Sequence, residues 1–384
     1  MLALLLSILG TLLATEPASE SQHVRFATFN IWELSATKLT ETSTDGTGSN
    51  PQLRNAAEII QRIRPDILLI NEIDFDPANQ GNAQLFIDRY LKASQNGQQP
   101  IDYPFVYFEP VNTGVPTGMD LDNDGESNGP GDAYGFGKYP GQYGMALLSR
   151  FPILRDQVRT FRKLLWKDVP NNLMPDGHNG KPQWYGAEQA PILRLSSKSH
   201  WDLPIQVNDQ VVHVLCAHPT PPVFDGEEDR NGRRNFDEIR LLADYVTGGD
   251  AAKYIVDDEG RHGGLAQNAL FVICGDMNAD ANLDSAAYGK PAIDQLIRHP
   301  KITDPEPSSM GAADDASAGP PRYLERRTAD FGRADYVLPS RGLTITDKGV
   351  FWPTEGDPLH KLVSNREASS DHRLVWVDVD LPKE

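Results

Sequence analysis

Short apolar runs that stop abruptly at a polar residue recur along this chain. Residues 23–30 (HVRFATFN) alternate between apolar and polar, which predicts a strand with Asn30 at its end. Pro51 opens a helix whose apolar positions Leu53, Ala56, Ala57, Ile60 and Ile63 follow helical spacing. Arg64-Pro65-Asp66 stops it, and residues 67–70 (ILLI) predict a fully buried strand followed by Asn71 and Glu72. Further strands are predicted over 104–110, 143–149, 192–198 and 211–217, the last running into His218. Helical spacing appears near 84–91, over 236–246 and in part of 283–297, while 308–321 carries no pattern. Asp335 opens a short strand, and Asp371-His372 precede a long alternating strand at 373–381.

The stretch 271–280 (FVICGDMNAD) concentrates this pattern. Phe271, Val272 and Ile273 predict a buried strand, Gly275 breaks it, and Asp276 and Asn278 follow two apart. On an extended backbone side chains two apart point the same way, so a carboxylate and a carboxamide would leave the strand end together. Such a pair binds a hard cation or holds a water; Gly-Asp and Asn-Ala-Asp also make good turns.

The same design marks other candidates. Glu72, a carboxylate directly after four aliphatics, is the strongest metal-ligand candidate in the first half of the chain. Asp120, Asp122 and Asp124 followed by Gly125 match the first half of a calcium-binding loop, although Gly131 stands where the closing Glu belongs. A structural Ca²⁺ is therefore expected there. Asp371 and His372, being adjacent, are expected to project differently, one toward a metal and one toward a substrate. Arg233 and Arg234 have the chemistry to reach a phosphate, though a charge run is ordinarily a solvated face. Trp166 and Trp184 stand in an irregular region, where they would either flank a substrate or pack.

Composition narrows the classes. The 384 residues carry a net charge of −18, which opposes general attraction to nucleic acid or anionic membranes but leaves room for a phosphate held through a cation. Two cysteines, Cys216 and Cys274, exclude a disulfide scaffold or zinc cluster, and buried free thiols are expected. Leu2 to Leu13 is nearly all apolar but shorter than the ~20 residues of a membrane span. It reads as a signal peptide over 1–20, giving a secreted or periplasmic, monomeric protein without stable membrane insertion, in which 21–384 form one catalytic domain.

In combination, FNIW at Asn30, INE at Glu72, the strand running to His218, GDMN at Asp276 and Asn278, RADY at Asp335 and SDH at Asp371 and His372 resemble the endonuclease/exonuclease/phosphatase superfamily, the deoxyribonuclease I-like fold. The resemblance implies a four-layer α/β sandwich, two mainly antiparallel sheets packed face to face with helices outside, and a site at one end of the sheets. It implies metal-assisted attack of water on a phosphate ester, with Asn30, Glu72 and Asp371 on Mg²⁺ or Mn²⁺, or Ca²⁺ in their place. It assigns Asp276 to the attacking water, Asn278 to a phosphoryl oxygen, Asp335 to orienting His372, His372 to the phosphate, and His218 to the transition state or leaving oxygen. Trp32 stands where several relatives carry an acidic residue. The expected substrate is nucleic acid or a smaller phosphodiester; a phosphomonoester, a phospholipid, or non-catalytic binding are the alternatives.

Overall fold

The computed structural model describes residues 22–76, 81–282, 287–314 and 324–382. The leader expected over 1–20 lies outside them, as do 283–286 and 315–321 of the two segments read above.

Among the described residues eleven strands form two sheets. The first sheet runs β10-β11-β1-β2-β4-β3, built from β1 (His23–Leu34), β2 (Ile67–Ile73), β3 (Phe105–Tyr107), β4 (Gly144–Ser149), β10 (Thr344–Val350) and β11 (Val375–Asp380). The second runs β5-β6-β7-β8-β9, from β5 (Arg159–Thr160), β6 (His200–Val207), β7 (Gln210–Ala217), β8 (Leu270–Asp276) and β9 (Asp335–Pro339). Among these eleven strands the β1/β2 and β7/β8 pairs are parallel and the other pairs antiparallel. One apolar cluster joins Phe26, Ile70 and Val377 of the first sheet to Val214, Val272 and Val337 of the second, so the sheets pack face to face. A second cluster, with Leu215, Ile273 and Leu338, covers the outer side of the second sheet beneath the helix Arg230–Thr247.

Local chemistry explains the helices. Asn50 accepts a hydrogen bond from Leu53 N at 3.2 Å, Pro51 fills the first turn, and Arg64 ends the helix Pro51–Ile63 in a left-handed conformation. The helix Arg230–Thr247 begins six residues earlier than its apolar spacing predicts, because the charged run around Arg233 and Arg234 forms its first turns. Its buried face carries not only Phe236 and Ile239 but also Asn235, Asp237 and Glu238.

The strand expected over 192–198 is absent. A 3-10 turn at Ala190–Ile192 leads into irregular chain, and the strand begins at His200 instead. β10 went unpredicted because most of it is exposed and its polar residues hide the alternation. In the segment 283–297 only Asp294–Ile297 is helical among the described residues. Trp166 is buried and donates its indole N–H to Asp237, while Trp184 donates to Leu121 O under the guanidinium of Arg230, so both pack. Both cysteines are free and buried, opposite one another on β7 and β8. No helix among the described residues is long and apolar enough to cross a membrane.

Candidate active site

Strand direction gathers the polar ends. β1 and β2 run parallel, which brings Asn30 and Glu72 to one edge of the first sheet. β11 runs antiparallel to β1, so its start, just after His372, lies at that same edge. In the second sheet, parallel β7 and β8 deliver His218 and Asp276, and antiparallel β9 contributes Asp335, the register partner of Asp276.

Asp276 is the junction. Its Oδ1 accepts the Asn278 backbone N–H at 2.9 Å, and its Oδ2 accepts from Asn30 Nδ2 at 3.0 Å. The same Oδ2 lies 3.4 Å from His218 Nε2 and 3.7 Å from His372 Nε2. On its far side His372 presents Nδ1 to Asp335 Oδ2 at 2.8 Å, and Thr328 Oγ1 donates to that oxygen at 2.8 Å. Ser370 Oγ accepts from the backbone of both Trp32 and His372, tying β1 to the turn that carries the histidine.

Glu72 owes its direction to the backbone. β2 slips register against both neighbours between Asn71 and Ile73, and Glu72 takes φ +67° in that bulge. A bulge bends the strand and breaks its ladder locally, and in doing so re-aims one side chain. The carboxylate receives Asn30 Nδ2 at 3.2 Å and the Glu33 backbone N–H at 3.0 Å. Asn278 departs from the expected geometry. β8 ends at Asp276, Asn278 turns to φ +48°, and its amide donates to Pro219 O at 3.2 Å. It joins Asp276 through a turn rather than through strand parity. Gly275 makes the approach of β8 to β7 possible, since a Cβ there would sit 2.0 Å from Ala217 O.

Burial sets the protonation states. Desolvation raises the pKa of Glu72, which lines the floor of the cleft, and that of buried Asp276, where the positive charge of His372 opposes it. Desolvation would lower the pKa of His372, but Asp335, Asp276 and Asp371 together outweigh it and push it up to about 10. His218 goes the other way: burial, then the charges of Lys198 and His372, hold it well below the usual histidine range. One histidine is thus cationic at neutral pH and the other neutral.

Among the described residues three groupings have the donor chemistry for a cation. Asn30 Oδ1 is buried without a hydrogen-bond partner, beside a desolvated Glu72 carboxylate; a carboxylate and a carbonyl-type oxygen in want of positive charge suit a hard divalent ion. Asp371 adds negative charge near Glu72 while pairing with Arg366 at 2.8 Å. Asp276, Asp335 and His372 also bring ligand atoms within 4.8 Å of one another, although the His372 ring already spans those two carboxylates. Away from the cleft, Asp120, Asp122 and Asp124 converge to the same limit, and Gly125 N donates to Asp120 Oδ2 at 3.0 Å. Asp132 instead caps its own loop, accepting from Leu121 N and Gly129 N.

The structure engages Arg233 and Arg234 with backbone. Arg233 Nε donates to Glu228 O, and Arg234 donates to the carbonyls of Leu195, Tyr134 and Arg194. They brace loops around the helix. Three residues near the cleft escaped the sequence reading. Glu238 accepts from Ser197 N, Ser197 Oγ and Thr220 N, and Asn235 Nδ2 donates to Thr220 O and Met277 O. Together they fasten the loops carrying His218 and Asp276 to one helix. The third, Lys198, is buried, and its Nζ has Pro219 O at 3.4 Å; its charge acts on Glu238 first, then on Asp276, Glu72 and His218. Glu238, polar on the buried face of the helix predicted over 236–246, was a signal, whereas Asn235 stands one residue before that helix. Lys198 left none.

The family model for the endonuclease/exonuclease/phosphatase family matches residues 27–372. Among solved structures, an endonuclease/exonuclease/phosphatase from Beutenbergia cavernae is 18% identical, with 94% of this chain and 72% of that one covered and a TM-score of 0.51. A family protein from Leptotrichia buccalis is 13% identical over 93% of this chain and 99% of its own, TM-score 0.47. Sphingomyelinase C from Streptomyces griseocarneus is 16% identical over 94% and 100%, TM-score 0.43. No curated protein matches.

Proposed function

This chain belongs to the endonuclease/exonuclease/phosphatase family, and from that premise we propose that it is a divalent-metal-dependent phosphodiesterase that attacks its substrate directly with water. The observation that carries this reading is the convergence on Asp276 Oδ2 of Asn30, a neutral His218 and a cationic His372, with Glu72 held beside them through Asn30.

Asn30 and Glu72 would hold the cation, with Asp371 at its edge, and when bound the cation neutralises phosphate charge. Asp276 accepts the proton of the attacking water; its raised pKa makes it a stronger base than an exposed carboxylate. His372 carries its positive charge into the cleft, fixed by Asp335 behind it, and donates Nε2–H to a phosphoryl oxygen. His218 stays neutral and supplies a hydrogen bond rather than a full proton charge. Asn278, locked to Pro219 O, borders the same cleft and orients the phosphoryl group. The water's oxygen bonds to phosphorus as the bond to the leaving oxygen breaks, the departing oxygen takes its proton from solvent, and no enzyme-bound ester is formed.

The test is hydrolysis of bis(4-nitrophenyl) phosphate. Activity should require Mg²⁺ or Mn²⁺, vanish with chelator, and collapse in Asp276→Ala and His372→Ala. Metal-independent turnover, or unchanged rates in both variants, would sink the proposal.

A further inference from the structure

Beside the reacting groups the cleft opens to about 750 Å³, and apolar side chains line much of it. Val223 and Phe224 stand 49% and 88% exposed on one loop, and Phe331 stands 55% exposed on another. Large apolar side chains left open to water at the mouth of a site mark a surface that ligand binding covers.

These are held displays. Val223 O accepts Asn231 Nδ2 at 2.7 Å and Asp225 accepts Asn231 N at 2.6 Å, so the first turn of the helix Arg230–Thr247 clamps the loop on both sides of Phe224. Phe224 itself sits at φ +67°, a conformation bulky side chains rarely adopt. The turn bearing Phe331 is closed by Ala329 N to Gly332 O at 2.9 Å and anchored by Asp330 N to Asp371 O at 2.9 Å. Its ring meets the edge of His372 at 5.5 Å, which sets apolar surface directly against the phosphate-binding histidine.

The charges point the same way. The cationic side chains lining the cleft besides His372 are Arg333 and Arg366. Arg333 is forked onto Asp304 at 2.8 and 2.6 Å, and Arg366 pairs with Asp371. A nucleic acid strand needs a run of basic groups for successive phosphates, and a chain of net charge −18 repels it. The cleft offers one phosphate site and an apolar wall.

We propose that the substrate is a monomeric phosphate ester whose esterifying alcohol is apolar, an alkyl, acyl-bearing or aryl group that lies against Val223, Phe224 and Phe331 while its phosphate meets Asp276 and His372. The inference rests on the phosphodiesterase reading above and names the substrate class for that site.

It is tested with 4-nitrophenyl phosphodiesters whose second ester group lengthens from methyl to octyl, assayed below their micelle concentrations with Mg²⁺ or Mn²⁺. Each methylene buried in the cleft should raise kcat/KM by about two- to fourfold until the wall is covered. In Val223→Ser/Phe224→Ser the octyl-to-methyl ratio of kcat/KM should fall to within about twofold of one; both side chains are solvent-facing, so folding is not at stake. A parallel arm compares sub-micellar dihexanoyl phosphatidylcholine with dioleoyl phosphatidylcholine vesicles. Faster turnover on vesicles assigns the apolar group to a membrane lipid, and equal or slower turnover assigns it to a free ester. A flat chain-length profile, or single-stranded DNA outrunning every alkyl ester, overturns the proposal while leaving phosphodiester hydrolysis intact. Failure to hydrolyse any compound in the panel overturns the phosphodiesterase reading and this one with it.

Discussion

Asn30 Nδ2 reaches Asp276 Oδ2 at 3.0 Å and Glu72 Oε1 at 3.2 Å, so one amide on the first sheet holds a carboxylate of its own sheet and one of the other. Removing it should loosen both. Asn30→Ala is expected to weaken Mn²⁺ binding by about 10–100-fold, the range for residues that orient metal ligands. Asn30→Asp, which sets a third carboxylate between two others, should lower kcat further at neutral pH. Calorimetric titration with Mn²⁺, alongside kcat on bis(4-nitrophenyl) phosphate, checks both; unaltered affinity in Asn30→Ala would remove it from the metal site.

Asp335 is fully buried and its charge does much to keep His372 cationic. Asp335→Asn preserves the shape but not the charge. A loss of about 10²–10⁴ in kcat is expected, the range for displaced acid–base and charge-stabilising groups. The KM should move far less. Loss through KM alone would make Asp335 a packing residue.

Lys198→Met separates an electrostatic role from a structural one. Lys198 forms no ion pair with the carboxylates that feel its charge, Glu238 first and then Asp276 and Glu72, and its desolvation costs stability, so its removal should leave Tm unchanged or raise it. The charge it projects toward Asp276 and His218 should nevertheless be missed, and kcat/KM should fall about tenfold, the scale of a ~1.4 kcal/mol change in barrier. Thermal melts and steady-state kinetics on the same variant decide it. A lower Tm with unchanged kinetics would assign Lys198 to the fold.

How much of this was legible beforehand follows from what each residue depends on. Asn30, His218, Asp276 and His372 stand at the ends of apolar runs, and strand pairing alone carries them to one edge. The direction of Glu72 depends on a register slip between three strands, which no local pattern encodes. Lys198 hid because residues 192–198 have strand-like composition yet form loop, held by Glu238 forty residues later. Arg233 and Arg234 have the chemistry of phosphate ligands, yet Arg233 Nε and the Arg234 guanidinium donate to backbone carbonyls, which the charge run itself does not announce. Isolated side-chain identity was a poor guide where the partner lay on another element.

Acid should find a weak point at His200. It is buried against Ser196 Oγ at 2.7 Å, and desolvation holds its pKa down to about 4, below the ordinary 6.5. A histidine depressed in the folded state contributes stability above pH 6.5 and loses it as pH falls through 4. Wild type should therefore forfeit roughly 3 kcal/mol over that window, at 1.36 kcal/mol for each pH unit. His200→Gln should flatten this part of the curve, read from urea melts at pH 7, 5.5 and 4.

Calcium should stabilise the loop at Asp120, Asp122 and Asp124, where three carboxylates lie within 4.8 Å. At a hundredfold excess over its dissociation constant, an ion bound only by the folded state adds about 2.7 kcal/mol. Tm should rise by several degrees in wild type and not in Asp122→Ala. An equal rise in both would place the ion elsewhere.

β11 lies inside its sheet, between β10 and β1, and the turn just before it carries His372 and Asp371. A chain still emerging from the ribosome therefore holds Asn30, Glu72, His218 and Asp276 long before it holds His372. The cluster closes only once residue 372 has been made and β11 has inserted beside β1. Synthesis order therefore sets assembly order: a chain that stops short of residue 372 carries four members of the cluster without the fifth.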